Sequence, residues 1–167
     1  ILIDEADTFV KDSEEIRGVI NAGHTRDGVV IRSVGDKHEP KAFRVYGAKI
    51  IAAIGGMPTT IEDRAIAIPM KRRHSGEKVE RLRGDRLDQF ENIKRKCIKW
   101  AETNLDKLKA IDPEVPAFLD DRAADNWRPL FSIASVVGGL WSEKALKAAE
   151  ILSKCRTEDE SDGVLLL

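Results

Sequence analysis

The chain opens on an apolar block, Ile1-Leu2-Ile3, that ends at two adjacent carboxylates, Asp4 and Glu5. A short apolar run closed by polar residues predicts a buried strand, here over about residues 1–5. Ser13, followed by Glu14 and Glu15, reads as a helix start, because a hydroxyl caps free amides and acids favour the positive helix end. Ile16, Val19 and Ile20 then share one helical face, and Gly23 stops the helix. Two runs, 28–34 and 42–46, flank the turn-rich segment 35–40 and predict a hairpin. The apolar run 48–54 predicts another buried strand, ending at Gly55-Gly56-Met57-Pro58. A short helix over 60–64 and a further strand over 65–70 complete the first half.

Beyond Arg73 the apolar period lengthens. Phe90, Ile93, Cys97, Ala101, Leu105 and Leu108 step by three or four and predict one amphipathic helix near 86–109. Cys97 takes a core position in it and reads as a small buried hydrophobe. A second helical pattern runs from about 119 to 137, with Ala123, Trp127, Leu130, Phe131 and Ala134 on one face. That spacing makes Trp127 a core residue rather than a base-stacking one. Pro129 either kinks this helix or opens a new one, because proline lacks the amide donor. Ser142 reads as the cap of a third helix over roughly 143–154. An acidic loop over 158–163 then precedes the apolar run 164–167, the start of another element.

Composition sets the class. With 42% hydrophobic and 34% charged positions over 167 residues, the chain is globular rather than disordered. No apolar run approaches ~20 residues, so no membrane span is expected. Two cysteines, Cys97 and Cys155, have no metal spacing, and a reducing cytoplasm is the simplest location. The net charge of −1 conceals segregation: residues 71–99 hold eleven basic and five acidic side chains, and residues 100–167 hold eight and thirteen. A basic stretch marks either a nucleic-acid face or a solvated helix surface.

The chemistry begins at Asp4 and Glu5. A buried strand holds its C-terminal carboxylates rigidly at the sheet edge. Asp4 suits the water shell of Mg²⁺, which takes few protein oxygens, and Glu5 can polarise a water for in-line attack on a γ-phosphate. That is a Walker B element, although the same string also describes a core strand ending in exposed acids. The phosphate-binding loop G-x-x-x-x-G-K-[ST], which should precede it, does not occur. The string Asp4-Glu5-Ala6-Asp7 matches motif II of DEAD-box helicases, but their later motifs are missing and that assignment is rejected. The histidines have no metal-ligand spacing. In the hairpin, Arg32, Lys37, Lys41 and Arg44 are candidates to grip a nucleic-acid backbone, or else form an ordinary solvated face.

The order of elements resembles the second half of an AAA+ ATPase core followed by its helical lid. The strings "IDEAD", "AAIGGMP", "EDRAIAIPMKRR" and "DRAADNWRPL" are similar to a domain-of-unknown-function family of bacterial and phage P-loop proteins that accompany primase–helicase modules on mobile elements. The resemblance implies an α/β fold: the C-terminal part of an AAA+-like P-loop NTPase core from the Walker B strand onward (1–72), an all-helical lid (73–157), then an acidic loop and a new element (158–167). It implies ATP and Mg²⁺ as cofactors, with Asp4 organising the metal shell and Glu5 activating water. Arg64 would be an arginine finger reaching a neighbouring subunit, or by the residues alone a helix-end arginine paired with Glu62 or Asp63. Arg128 would be sensor 2, with Arg122 in reserve. Sensor 1 stays unassigned, because 54–56 offers no side-chain donor and Thr59 and Thr60 lie further on.

The implied function is an ATP-hydrolysing motor, a helicase- or primase-associated ATPase assembling with itself as a ring, expected to be a hexamer, and acting on DNA. The alternative is a non-catalytic oligomerisation or nucleic-acid-binding module. With Walker A absent, this segment alone is expected to turn over no ATP, and strands 48–54 and 65–70 are expected to miss a shared neighbour.

Overall fold

The computed structural model describes residues 1–82 and 84–164, with side chains at all of these but 85, 86 and 155–164. It divides into two units, Ile1–Ile66 and Ala67–Leu167.

In the first unit, β1 (Leu2–Ile3) and β4 (Ile50–Ile51) pair in parallel, Leu2 opposite Ile50 and Ile3 opposite Ile51. The backbone ladder outlasts both strands: Ala52 N–H donates to Ile3 O at 2.8 Å and Ala6 N–H to Ala52 O at 3.0 Å. Parallel neighbours need a long crossover. Here it contains a 3₁₀ turn (Ala6–Thr8), helix α1 (Glu14–Ala22) and a hairpin of β2 (Val29–Val34) and β3 (Glu39–Arg44). Ser13 caps α1 as its position requires, its hydroxyl accepting from Ile16 N–H at 3.2 Å. The core is Ala6, Val10, Ile20 and Ile61, with Ile3, Ile16, Ile51 and Met57 packed against it. Ile61 comes from α2 (Thr59–Glu62), so the short helix is pinned under the sheet edge.

Two expectations change in this unit and the residues that follow it. The hairpin strand β3 begins at Glu39 rather than Ala42, placing Pro40 opposite Ser33. A proline is tolerated there because one side of a two-stranded ribbon needs no donor. The turn narrows to 35–38, with Gly35 and His38 both at positive φ, 71° and 52°. No strand forms over 65–70; Ile68 and Met70 are exposed, and Pro69 lacks the donor that a central strand would use.

In the second unit, a 3₁₀ helix (Gly84–Phe90) runs into α3 (Glu91–Ala110) where one long helix was expected. Helix α4 (Asp121–Val137) starts on Asp120, whose carboxylate accepts from Ala123 N–H at 2.8 Å. It passes through Pro129 without ending. Trp127, Phe131 and Ala134 are buried along it, the two rings stacked with centroids 5.8 Å apart. Gly138 and Gly139, at φ 75° and 59°, turn the chain into α5 (Trp141–Val164). Two consecutive left-handed residues are costly for anything but glycine. Helix α5 begins before Ser142, which therefore lies in its first turn and is not its cap. It also continues through 158–163, so the acidic loop is helical; between Trp141 and Val164 there is no proline, and the one glycine, Gly163, is next to the end. Of the expected run 164–167, Leu165 to Leu167 lie outside the described residues.

The apolar stripe of α3 is present but largely uncovered. No α3 residue is buried, Ile93 is 57% exposed, and Cys97 is exposed rather than a core residue. Periodicity marks which face is apolar, and among the described residues only its C-terminal end, at half-buried Leu108, is partly covered. Among the described residues no helix is long and apolar enough to cross a membrane.

Candidate active site

Asp4 and Glu5 follow β1 directly, at the C-terminal edge of the parallel pair, and both are exposed. Asp4 turns one oxygen back onto the chain: its Oδ1 accepts Glu5 N–H at 2.9 Å. Glu5 sits in the left-handed region at φ 51° and ψ 38°, uncommon for a residue with a long side chain. Its carbonyl accepts from Thr8 N–H at 3.0 Å and from the Thr8 hydroxyl at 2.7 Å. Those bonds fold the chain sharply out of the sheet just after the two carboxylates.

Asp7 completes this edge, and sequence reasoning gave it no role. Its Oδ1 accepts Ile54 N–H at 2.9 Å, tying the turn after β1 to the end of the β4 segment. Gly55 follows at φ 80°. On the far side of the glycine pair, Glu62 Oε1 accepts Met57 N–H at 2.6 Å. The sequence shows only a carboxylate two positions beyond Glu5; its partner lies 47 positions away, beyond the reach of any local pattern. The Thr60 hydroxyl accepts from Asn21 Nδ2 at 3.4 Å, which leaves its O–H free to donate.

The arginines are spread more widely. Arg64 is half-buried and folds onto its own turn, Nη1 donating to Thr60 O at 2.7 Å. Glu62, one of its two expected partners, is bound instead to the Met57 amide. Arg128 pairs with Asp112 at 2.5 Å on the surface of the second unit. Such an exposed pair is worth little in stability, about 0–1 kcal/mol. Arg122 is exposed on α4, six positions from Arg128, and residues at that spacing are not helix neighbours.

The hairpin does not gather its cations on one face. Register sets Arg32 directly opposite Lys41, so these two share a face, while Arg44 lies opposite Val29 on the other. Lys37 is in the turn. Lys41 Nζ lies 5.5 Å from the centre of the Phe43 ring, and Arg32 Nη2 donates to Glu15 O at 3.4 Å. Beneath, a cavity of about 280 Å³ is lined by Ile1, Ile3, Ile16 and Val19 with Arg32 and Lys49. Lys49 Nζ donates to Gly23 O at 2.9 Å and to Gly47 O at 3.0 Å, and burial lowers its pKa from the ordinary value.

The edge fits a hydrated divalent cation in a limited sense. Asp4 keeps one oxygen outside its bond to Glu5, enough for a contact through water. Among the described residues no group of three or more His, Cys, Asp or Glu side chains could hold a metal by itself.

Residues 69–167 match a family described as "Protein of unknown function (DUF3631)". The chain belongs to that family. It is also similar to a protein of Saccharopolyspora erythraea described as "Uncharacterized 28.9 kDa protein in xis 5'region", with 35% identity over 94 residues. The matched stretch is 54% of this chain and 35% of that protein, so the chain spans about a third of its relative's length. No solved structure matches.

Proposed function

We propose that the protein containing this chain is an ATP-hydrolysing, AAA+-like motor of a bacterial or mobile-element replication system, working on DNA as a ring of identical subunits. One observation carries the reading: Asp4 and Glu5 leave β1 together at the C-terminal edge of a parallel strand pair. In open α/β sheets that edge is where ligands bind. Glu5, whose side chain has no partner among the described residues, is the group available to take a proton from water. Asp4 is the group available to the solvation shell of Mg²⁺. The cation, when bound, would neutralise phosphate charge. Arg64 and Arg128 enter the chemistry only by leaving their present partners, Thr60 O and Asp112.

The test is nucleotide hydrolysis by the full-length protein and its Glu5→Gln variant. Turnover is expected to vanish in the variant while nucleotide binding persists. Turnover that survives Glu5→Gln removes the catalytic assignment.

A second reading, a non-catalytic oligomerisation or nucleic-acid-binding module, is favoured by the largely exposed apolar face of α3. Full-length protein that binds no nucleotide, yet self-associates through that face, would decide for it.

A further inference from the structure

The segment 54–57 is fastened at both ends by carboxylates from different parts of the first unit. Asp7 Oδ1 takes the Ile54 amide at 2.9 Å and Glu62 Oε1 takes the Met57 amide at 2.6 Å. The two bonds bracket Gly55 and Gly56, and Gly55 holds a φ of 80° that few other residues would accept. Asp7 is 47 positions from Ile54, so its bond is a tertiary one and not a property of the turn. The Glu62 bond is part-buried and the Asp7 bond exposed, and each is charge-assisted, because a carboxylate accepts it. The bracketed segment leaves the same sheet edge as Asp4 and Glu5, since Ala6 N–H and Ala52 O join the two chains just before it.

We infer that Asp7 and Glu62 are positioning residues that hold the glycine pair in one shape beside Asp4 and Glu5, so that backbone amides of Gly55 and Gly56 meet the terminal phosphate. The inference rests on the ATPase reading. It also answers a gap in that reading. The strand end offers no polar side chain, and Thr59 and Thr60 lie beyond the glycine pair, on α2. Backbone N–H groups in a glycine turn are good anion donors, and they serve best when their geometry is fixed before the charge develops. Neither carboxylate touches substrate in this arrangement; each acts through the loop.

The experiment uses the full-length protein with two readouts, hydrogen exchange of the 54–57 amides and steady-state ATP hydrolysis. Asp7→Ala is expected to speed exchange at Ile54 about tenfold, the loss of one charge-assisted bond. It should lower kcat by about ten- to a hundredfold with KM unchanged. Asp7→Asn keeps an oxygen acceptor and should restore both values to near wild type. Glu62→Ala and Glu62→Gln should behave as the same pair at Met57, which keeps the test decisive if Asp7→Ala fails to fold. Exchange unchanged in both alanine variants overturns the inference. So does an asparagine variant as impaired as alanine, since charge rather than the bond would then matter. If exchange responds as expected but the wild type hydrolyses no nucleotide, the ATPase reading falls, and the loop's role in phosphate contact falls with it.

Discussion

Glu5 allows backbone strain and chemistry to be separated at one position. Its φ of 51° and ψ of 38° place an ordinary L residue in the left-handed region, at a cost of about 1–2 kcal/mol. Glycine adopts that conformation freely but loses more chain entropy on folding, about 0.5–1 kcal/mol. The Glu5 side chain is exposed and unpartnered among the described residues, and the bonds at this residue use its backbone N–H and carbonyl, which glycine keeps. Glu5→Gly should therefore stabilise the fold by about 0.5–1 kcal/mol. With a urea slope of ~2 kcal/mol/M, the unfolding midpoint should rise by about 0.3–0.5 M. Glu5→Gln keeps the strain and should leave the midpoint unchanged. Both variants should lack turnover, so stability and activity rank the three proteins differently. A lower midpoint for Glu5→Gly refutes the strain argument, whatever happens to activity.

Phe131 is 6% exposed and stacked on Trp127, so Phe131→Ala should cost about 3–5 kcal/mol, against under about 1 kcal/mol for Ile133→Ala, by urea unfolding. Lys41 faces Arg32 across the hairpin, and Lys41→Glu should stabilise it by about 0.5–1 kcal/mol. The same change should weaken DNA binding and flatten its salt dependence; unchanged binding would remove the hairpin from the DNA contact. For Lys49, burial lowers the folded pKa below the unfolded one, so the unfolded chain binds more protons between the two values. Stability of the wild type relative to Lys49→Met should therefore rise with pH in the alkaline range below the ordinary lysine pKa, as urea midpoints at several pH values would register.

What could be read from the sequence was local. The Ser13 cap, the face of α1 and most of the stripe of α4 each follow from residues within a few positions of one another, where propensity and period act directly; Leu130, expected on that stripe, is exposed. Pairing is different. The run 65–70 is as apolar as 48–54, but a strand exists only where another backbone is alongside, and no pattern within 65–70 reports that. The stripe of α3 failed in the same way: its period identified an apolar face, and Cys97 was assigned to a core that no described element completes. The bond from Asp7 to Ile54 spans 47 positions and was equally out of reach.

The string Ile3-Asp4-Glu5-Ala6-Asp7 shows why a motif underdetermines its chemistry. Its three carboxylates look equivalent in sequence and differ in structure. Asp4 gives one oxygen to the amide of Glu5, Asp7 gives one to the amide of Ile54, and Glu5 gives none to any described group. A carboxylate engaged with a backbone amide is fixed in place and has one oxygen fewer to offer a ligand. Ala6 stands between the free carboxylate and the anchoring one. It is fully buried in the core, and its N–H closes the ladder onto Ala52. Replacing it with a larger residue would push the turn off the sheet and move all three carboxylates at once. The string is thus as much a way of ending a parallel strand as a set of catalytic groups, and a match to "DEAD" alone does not identify a helicase. Of the three, Glu5 is the one whose carboxylate bonds to no described group, so the proposed hydrolysis would fall to it rather than to its neighbours.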